Sequence, residues 1–133
     1  MDHPKIFRKL AKYYDLLESS KDYKSESKYL NKLISKYKQS KGKGLLEVAC
    51  GTGSYLKYLK SGFNCTGTDV NEEMLKIARK KVKGVSLQKK DMIKLNLNKK
   101  FDVILCLFAS IGYVKTYSNL KRTINNFSKH LKQ

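Results

Sequence analysis

The feature that most constrains the fold is an apolar run that leads into a turn with two glycines. Residues 45–50 are apolar apart from Glu47 and predict a β-strand, and Gly51 and Gly53 follow before a helical pattern begins. Such a turn lets backbone N–H groups and a helix N-terminus approach a negatively charged or carbonyl-rich ligand. Asp69 then ends a second strand-like run, where a carboxylate can accept hydrogen bonds from both hydroxyls of a ribose. The order strand, glycine turn, helix, strand and acid predicts a domain for a nucleoside-containing cofactor.

Strand-like and helical patterns alternate along the rest of the chain. Such alternation predicts an α/β domain whose strands are joined by right-handed crossovers. The predicted strands are residues 45–50, 65–69, 85–88 and 101–108. The fourth is apolar almost throughout, which is typical of a central parallel strand covered on both faces.

Four helices are predicted from apolar residues at helical spacing. The first covers residues 23–40, and the second is expected to stop at Gly62. Asn71 suits the N-cap of the third, with Glu72 and Glu73 in its first turn. The apolar stripes consist of Tyr29, Leu30, Leu33, Ile34 and Tyr37, then Tyr55, Leu56 and Leu59, then Leu75, Ala78 and Val82, and finally Leu120, Ile124, Phe127 and Leu131.

The length of 133 residues predicts one domain, large enough to bury roughly two thirds of its unfolded surface. No apolar run approaches the ~20 residues of a membrane span, and no signal-peptide core is visible, so no membrane association is expected. Cys50, Cys65 and Cys106 each lie in an apolar run and are expected to be buried thiols in a reducing compartment, the cytoplasm. Because His3 and His130 lie at opposite ends of the chain, no metal site is predicted.

The formal net charge is +18, from 29 basic and 11 acidic residues. Of the basic residues only Arg8, Arg79 and Arg122 are arginine, the side chain favoured for forked recognition of phosphate and guanine. The lysines are spread along every predicted helix. We therefore expect solvated helix faces, and a polyanion-binding surface is the alternative.

At these residues the chain resembles class I S-adenosylmethionine-dependent methyltransferases. Four motifs of that fold occur in order, namely the turn from Glu47 to Gly53, Asp69, the pair Asp91-Met92 and the strand that ends at Leu107. A NAD-binding domain is a weaker alternative, because Leu56 stands where the Gly-x-Gly-x-x-Gly pattern has its third glycine.

A closer likeness is to the N,N-dimethyltransferases that act on nucleotide-linked aminosugars. The motifs that carry it are Tyr14-Asp15-Leu16, Lys21-Asp22-Tyr23, the Val-Ala-Cys-Gly-Thr-Gly turn at residues 48–53, Met74-Leu75, and the Phe-Ala-Ser-Ile-Gly-Tyr run at residues 108–113. The spacing between the two N-terminal tyrosine motifs is shorter than in those enzymes, so the lid over the substrate is expected to differ.

The resemblance implies a Rossmann-like three-layer sandwich with a mainly parallel sheet in the order 3-2-1-4. Residues 1–40 would form a helical cap or lid and residues 41–133 a partial cofactor-binding core, together one domain. The family continues with a fifth strand and an antiparallel pair, so the sheet is expected to be truncated before its fifth strand. We therefore expect a fragment of a longer chain, or a homo-oligomer or partner chain that covers the apolar edge of the fourth strand.

The resemblance also implies the cofactor contacts. Ala49, Gly51 and Gly53 would line the methionine part of S-adenosylmethionine with backbone groups, where a side chain at either glycine would obstruct the approach. The remaining contacts are Glu47 at the cofactor amino group or backbone, Asp69 at the ribose, Val70 and Met74 beside the adenine, Asp91 and Met92 at its amino group, Leu107, and Tyr14 and Tyr23 near the methionyl end or the acceptor amine. The alternatives are an ordinary tight turn, a helix-capping Asp69, a core-filling Met74 and a solvated Asp91.

The predicted function is methyl transfer to a small-molecule acceptor, an amine by the closer likeness. Ser110 and Tyr113 follow the fourth strand, where open α/β sheets bind ligands, and are predicted to contact the acceptor, with loop packing as the alternative for Tyr113. No histidine lies near the motifs, so catalysis by positioning is expected and no catalytic residue is assigned. Two alternatives stay open. One is an RNA methyltransferase, favoured by the charge but lacking an Asn/Asp-Pro-Pro-aromatic signature, and the other is a non-catalytic fragment.

Overall fold

The computed structural model describes residues 4–133, so His3 lies outside the part of the chain discussed below. The helices are α1 (Ala11–Leu17), α2 (Tyr23–Tyr37), α3 (Leu56–Leu59), α4 (Glu72–Lys81) and α5 (Tyr117–His130), and the strands are β1 (Gly44–Val48), β2 (Asn64–Asp69), β3 (Ser86–Lys89) and β4 (Val103–Cys106). Short 3₁₀ helices occupy Lys5–Phe7, Met92–Lys94 and Ser110–Val114.

The four strands form one parallel sheet in the order β3-β2-β1-β4, which confirms the predicted fold class and strand order. Leu46 of β1 lies between Thr66 of β2 and Ile104 of β4, and Thr68 of β2 pairs with Gln88 of β3. Because all the strands run the same way, their C-terminal ends meet at one edge of the sheet, where open α/β sheets place their ligand sites.

Helices cover both faces of the sheet and give the three layers that were expected. On one face Leu45 and Cys65 pack with α2, α3 and α4 through Ile34, Leu56 and Leu75. On the other face Leu46, Val48 and Ile104 pack with the segment around Met92 and with α5 through Leu120 and Phe127. Successive strand residues point to opposite faces, and β1 is therefore buried on both sides.

Several predicted boundaries were too long. Helix α2 ends at Tyr37 instead of residue 40, because Lys38 turns into an extended conformation. Strand β1 ends at Val48, where the chain turns into left-handed backbone at Ala49. Strand β4 covers only Val103–Cys106, and Phe101 forms an isolated bridge with Leu131.

Two predicted apolar stripes were also wrong in part. Tyr29 and Tyr37 are exposed, since the inward face of α2 passes through Ser27 and Ile34. On α5 Ile124 is 52% exposed, whereas Thr123 and His130 are buried. The stripes of α3 and α4 are buried as predicted, at Tyr55, Leu56 and Leu59, and at Leu75, Ala78 and Val82. An error of one residue in the stripe, a rotation of about 100° around the helix axis, is enough to exchange a buried residue for an exposed one.

Two residues that were predicted to begin or end a helix behave differently in the structure. Asn71 occupies the N-cap position of α4, but its side chain makes no capping hydrogen bond. Helix α3 ends at Leu59, three residues before Gly62, and Gly62 does not adopt the left-handed conformation of a C-terminal glycine stop.

All three cysteines are free thiols. Cys50 and Cys65 are buried as predicted, whereas Cys106 is only partly buried because it lies on the edge strand β4. Burial raises the pKa of Cys65 and of Cys106 to about 11, so both thiols stay protonated near neutral pH. Within residues 4–133 no helix is long and apolar enough to cross a membrane.

Candidate functional site

One cavity of about 310 Å³ opens at the C-terminal edge of the sheet. It brings together thirteen of the predicted site residues, namely Tyr14, Tyr23, Glu47, Ala49, Gly51, Asp69, Val70, Met74, Asp91, Met92, Leu107, Ser110 and Tyr113. Gly53 is the predicted site residue that does not line it. The residues come from β1, β2 and α4, from the segments that follow β1, β3 and β4, and from the N-terminal helices. The cavity therefore lies between the core and the segment that precedes it.

The glycine turn after β1 has left-handed backbone at three positions. Ala49 has a φ of 56°, Gly51 of 55° and Gly53 of 78°. A non-glycine residue in this region is uncommon, and Ala49 is held there by its neighbours, since the Cys50 N–H donates to Thr68 O at 2.9 Å. The turn therefore presents its backbone to the cavity in a conformation that local propensity alone does not favour.

Asp69, the last residue of β2, connects this turn to the start of α4. One carboxylate oxygen accepts a hydrogen bond from the Gly51 N–H at 2.8 Å, and the other accepts from the Asn71 N–H at 2.9 Å. Because α4 begins at Glu72, Asp69 organises the approach to the helix and is not its N-cap. A carboxylate oriented by two backbone donors can use its remaining lone pairs for ligand hydroxyls.

Glu47 lies in β1 and is 2% exposed. Its Oε1 atom is buried without a hydrogen-bond partner, yet the residue lines the cavity. Burial, with a smaller contribution from the Asp69 charge, raises the pKa of Glu47 well above its ordinary value. An unpaired buried carboxyl group costs free energy, and a cationic donor in the cavity would remove that cost.

The absence of a side chain at Gly53 allows the glycine turn to pack closely against α4 and Val82. A Cβ atom at Gly53 would lie 2.9 Å from Val82 Cγ2 and 3.5 Å from Ala78 Cβ. A Cβ atom at Gly51 would instead lie 3.3 Å from the Met74 methyl carbon, and Met74 lines the cavity. The two glycines of the motif thus face different neighbours, and the contact of Gly53 with a cofactor stays a prediction.

Asp91 begins the 3₁₀ helix Met92–Lys94, and its Oδ1 accepts from the Ile93 N–H at 2.9 Å. It is partly buried and lines the cavity. Met92 and Met74 are both buried in the core and also line the cavity, so core packing and ligand contact coexist in these side chains.

Several aromatic side chains form part of the cavity wall and pack against one another. The Phe7 ring lies 5.8 Å from the rings of both Tyr14 and Tyr113, and Tyr23 packs against Tyr55 at 5.0 Å. Burial is the main reason that the pKa of Tyr14 is raised. Burial is also the main reason that the pKa of Tyr23 is raised, to about 12. Both phenols therefore keep their protons near neutral pH and act as hydrogen-bonding groups.

Sequence reasoning missed several residues of the cavity wall. They are Ile6, Phe7, Glu18, Cys50, Thr52, Ser54, Tyr55, Asn71, Phe108 and Ala109. Asn71 has a buried Nδ2 without a hydrogen-bond partner, and its position two residues after Asp69 was the signal available for it. Phe7 carries no motif, and only the three-dimensional packing identifies it.

The wall of the cavity is acidic although the protein is strongly basic. Glu18, Glu47, Asp69 and Asp91 line it, and no lysine, arginine or histidine among the described residues does so. His130 lies elsewhere, since its Nε2 accepts from the Leu97 N–H at 3.0 Å. No group of three or more histidine, cysteine, aspartate or glutamate side chains within residues 4–133 could hold a metal ion. The cavity thus favours a ligand with positive charge and hydrogen-bond donors.

Comparisons with known proteins show what the chain is similar to. A family model described as a methyltransferase domain matches residues 45–133. The dTDP-3-amino-3,4,6-trideoxy-alpha-D-glucopyranose N,N-dimethyltransferase of Streptomyces venezuelae is 36% identical over 124 residues, which cover 91% of this chain and 52% of that protein.

Solved structures give the same result. The crystal structure of Streptomyces venezuelae DesVI superposes with a TM-score of 0.83 at 35% identity, covering 92% of this chain and 52% of that one. The SAM-bound structure of CalS10, an amino pentose methyltransferase from Micromonospora echinaspora, has a TM-score of 0.79 at 28% identity, covering 84% and 48%. The chain spans about half the length of the curated relatives it matches.

Proposed function

We propose that this chain, which belongs to the methyltransferase domain family, binds S-adenosylmethionine and supports methyl transfer to a small-molecule amine. The family is the one that the turn and acid motifs predicted. The observation that carries the proposal is the acidic cavity at the C-terminal edge of the sheet, inside a protein of net charge +18. S-adenosylmethionine carries a sulfonium and an ammonium group, and both are cations.

The residues present fit this cofactor. The unpartnered Glu47 Oε1 can accept from an ammonium group, and the oriented Asp69 carboxylate can accept from ribose hydroxyls. Val70, Met74 and Met92 offer apolar contact for the adenine, with Asp91 beside them. The remaining contacts, at Ala49, Gly51, Gly53, Leu107, Tyr14 and Tyr23, are part of the same proposal.

Catalysis is proposed to come from alignment. When bound, S-adenosylmethionine supplies an electrophilic methyl group on sulfur. Tyr14, Tyr23 and Tyr113 surround the space in front of the turn, exclude water and orient an acceptor beside Ser110. Because the phenols of Tyr14 and Tyr23 have raised pKa values, neither serves as the base near neutral pH. The acceptor amine is therefore proposed to lose its proton to bulk water before it enters the cavity.

The acceptor is proposed to be an amino sugar. The support is that one relative is named for a dTDP-linked amino sugar and another for an amino pentose. Ser110 and Tyr113 follow β4 and line the part of the cavity into which the acceptor is proposed to enter.

RNA is the second candidate acceptor, and the net charge of +18 is the observation that favours it. A polyanion would bind on the lysine-rich exterior, since the cavity wall is acidic. Affinity for RNA that falls steeply with salt, together with RNA-dependent methyl transfer, would support this candidate over the amino sugar.

Two further expectations stay proposals. A homo-oligomer or partner chain on the open edge of β4 is supported by the partly buried Ile104, Leu105 and Cys106, since within residues 4–133 β4 pairs with β1 alone. A cytoplasmic location is supported by three free thiols. Light scattering of the purified chain tests the first, and localisation of the native protein tests the second.

Calorimetric titration tests the cofactor. The monodisperse chain is titrated with S-adenosylmethionine, with S-adenosylhomocysteine and with NAD as the control. Saturable binding of the first two without NAD is expected. The absence of binding by a folded, monodisperse protein would contradict the proposal. Binding without transfer to any amine or RNA would identify a non-catalytic cofactor-binding fragment.

A further inference from the structure

Four polar side chains from three separate elements meet beside the cavity. They are Asp15 of α1, Thr52 and Ser54 of the glycine turn, and Lys81, the last residue of α4. Lys81 Nζ lies 2.6 Å from Asp15 Oδ2, 3.0 Å from Thr52 Oγ1 and 2.9 Å from Ser54 Oγ. The Thr52 hydroxyl donates to Asp15 Oδ1 at 2.6 Å. We refer to these four residues as the latch.

The latch differs from the other ion pairs of α4. Those pairs, Lys76 with Glu73 and Arg79 with Glu72, connect residues of the same helix at exposed positions. The Lys81 side chain is only 22% exposed, and its ammonium group contacts residues 27, 29 and 66 positions away in sequence. Such a contact is specific to the folded arrangement of the three elements.

Helix α1 has little else to hold it against the core. Ala11 is its one buried residue, whereas Tyr13, Leu16 and Leu17 are between 47% and 72% exposed. Besides Ala11, the half-buried Tyr14 packs against Phe7, so the apolar contacts of α1 are few and the polar contacts of Asp15 contribute a substantial share of its docking.

Both sides of the latch continue into the cavity wall. Tyr14 precedes Asp15 on α1 and lines the cavity. Thr52 and Ser54 belong to the glycine turn and also line it. The latch therefore joins two segments that both contribute to the cavity wall, and its loss would allow these segments to separate.

We propose that Lys81 is a positioning residue for the cofactor, which fastens α1 over the glycine turn and thereby slows ligand release. The proposal rests on the proposed function for its ligand. Lys81 itself does not line the cavity, so its effect passes through Asp15 and Thr52. It follows that loss of Lys81 should alter the retention of the ligand more than the chemistry of transfer.

The test compares Lys81→Met with Lys76→Met, a matched loss of an exposed lysine on the same helix. Stopped-flow and calorimetric measurements with S-adenosylhomocysteine are expected to show a roughly five- to tenfold weaker affinity for Lys81→Met, mostly from faster dissociation. Lys76→Met should match the wild type. In turnover assays KM for S-adenosylmethionine should rise more than kcat falls, and Lys81→Arg should recover most of the affinity.

Asp15→Asn keeps the shape of the side chain and removes the same ion pair from its other partner. It therefore tests the proposal even if Lys81→Met folds poorly. The double variant Asp15→Asn/Lys81→Met should lose little more affinity than either single variant, since the two residues act as one unit. Equal S-adenosylhomocysteine dissociation from Lys81→Met and Lys76→Met would overturn the proposal.

A measurement without ligand separates this proposal from the proposed function. Trypsin sites lie along the N-terminal segment at Arg8, Lys9, Lys12 and Lys21. In ligand-free protein, cleavage there is expected to be faster in Lys81→Met than in Lys76→Met, and equal rates would contradict the latch. If the wild type binds no S-adenosylhomocysteine while the cleavage rates differ, the proposed function fails and the latch stands.

Discussion

Three of the four acids that line the cavity are held in different ways, and this decides what each can offer a ligand. Asp69 has both oxygens engaged by backbone N–H groups of the turn and of the segment before α4. Asp91 uses one oxygen to cap a short helix. Glu47 has a buried oxygen without a partner. The first two are oriented, and the third is free to respond to a bound cation.

The raised pKa of Glu47 predicts that the affinity for the cofactor depends on pH. Burial raises the pKa of Glu47 and so favours the protonated carboxyl group in the free protein, whereas a bound ammonium group favours its ionised form. Binding should therefore release a proton, and affinity should rise with pH by up to about tenfold per pH unit below the raised pKa. Calorimetry in buffers of different ionisation enthalpy measures the released protons.

The variant Glu47→Gln serves as the control for this effect. It should bind more weakly and release no proton from this position. A raised pKa in the folded state also means that the stabilising contribution is complete below the unfolded pKa and is lost as pH rises through the folded one. The stability of Glu47→Gln relative to the wild type should therefore improve as pH rises, and a pH-independent difference would contradict the assignment.

Because two backbone donors orient Asp69 toward the cavity, we expect its substitution to lower the affinity for the cofactor. Asp69→Ala should weaken binding of S-adenosylmethionine by about 1–3 kcal/mol, through lost charge-assisted hydrogen bonds to the ribose and a loosened turn at Gly51. Asp69→Asn keeps one acceptor oxygen and should fall between Asp69→Ala and the wild type in a calorimetric titration. Unchanged affinity in a folded Asp69→Ala protein would refute the ribose assignment.

At the scale of elements, a buried aspartate ties β4 to β1 at the end of the sheet opposite the cavity. Asp102 accepts from Ser40 Oγ at 2.6 Å, from the Gly44 N–H at 2.8 Å and from Lys132 Nζ at 3.0 Å. These bonds, the Ser40 contact first, lower the pKa of Asp102 well below its usual range. Gly42 leaves room for the carboxylate, since a Cβ atom there would lie 2.5 Å from Asp102 Oδ2.

Asp102→Asn should therefore reduce the free energy of unfolding by about 2–4 kcal/mol, because it removes a buried charge on which three donors converge. A lowered pKa means that the contribution is present above the unfolded pKa, near 3.9, and is lost as pH falls toward the folded value. The wild type should lose stability below about pH 4 more steeply than Asp102→Asn in urea denaturation.

Two comparisons make this test specific. Glu73→Gln, a change at an exposed acid of α4, should have little effect on stability. Folded Asp102→Asn should bind S-adenosylhomocysteine like the wild type, because the residue lies at the far end of the strands from the cavity. A stability change no larger than that of Glu73→Gln would show that the buried contacts are weak.

At the scale of the whole molecule, charge is unevenly distributed. The net charge is +18, yet the wall of the cavity carries four acids and no basic residue within the described part of the chain. The excess of lysine therefore lies outside the site, where like charges repel one another across the surface.

Salt should stabilise this protein by screening that repulsion. Raising NaCl from about 20 to 200 mM shortens the Debye length from roughly 20 Å to below 10 Å, and should raise Tm by a few degrees. An uncharged osmolyte at equal osmolality is the control, and calorimetry or circular dichroism measures Tm. A Tm that falls with NaCl would mean that attractive ion pairs outweigh the repulsion.

The sequence by itself determined the fold class, the order of the elements and thirteen of the residues that line the cavity. These follow from local patterns, since strand ends and helix starts depend on neighbouring residues and parallel strands must bring their C-terminal ends to one edge. Asp69 and Asp91 could be predicted because Asp69 ends a strand and Asp91 lies two residues after the end of another. Ile124 was misjudged because periodicity indicates a stripe without saying how much of it is covered.

Only the tertiary structure decided which distant residues meet. Gly53 packs on Val82, Asp102 receives Ser40 and Lys132, and Lys81 reaches Asp15, and none of these pairs has a signal in a single sequence. The same holds for Phe7, which joins the cavity through Tyr14 and Tyr113. The physical reason is that a local pattern selects backbone conformation, whereas contacts between remote side chains arise from how the finished elements pack.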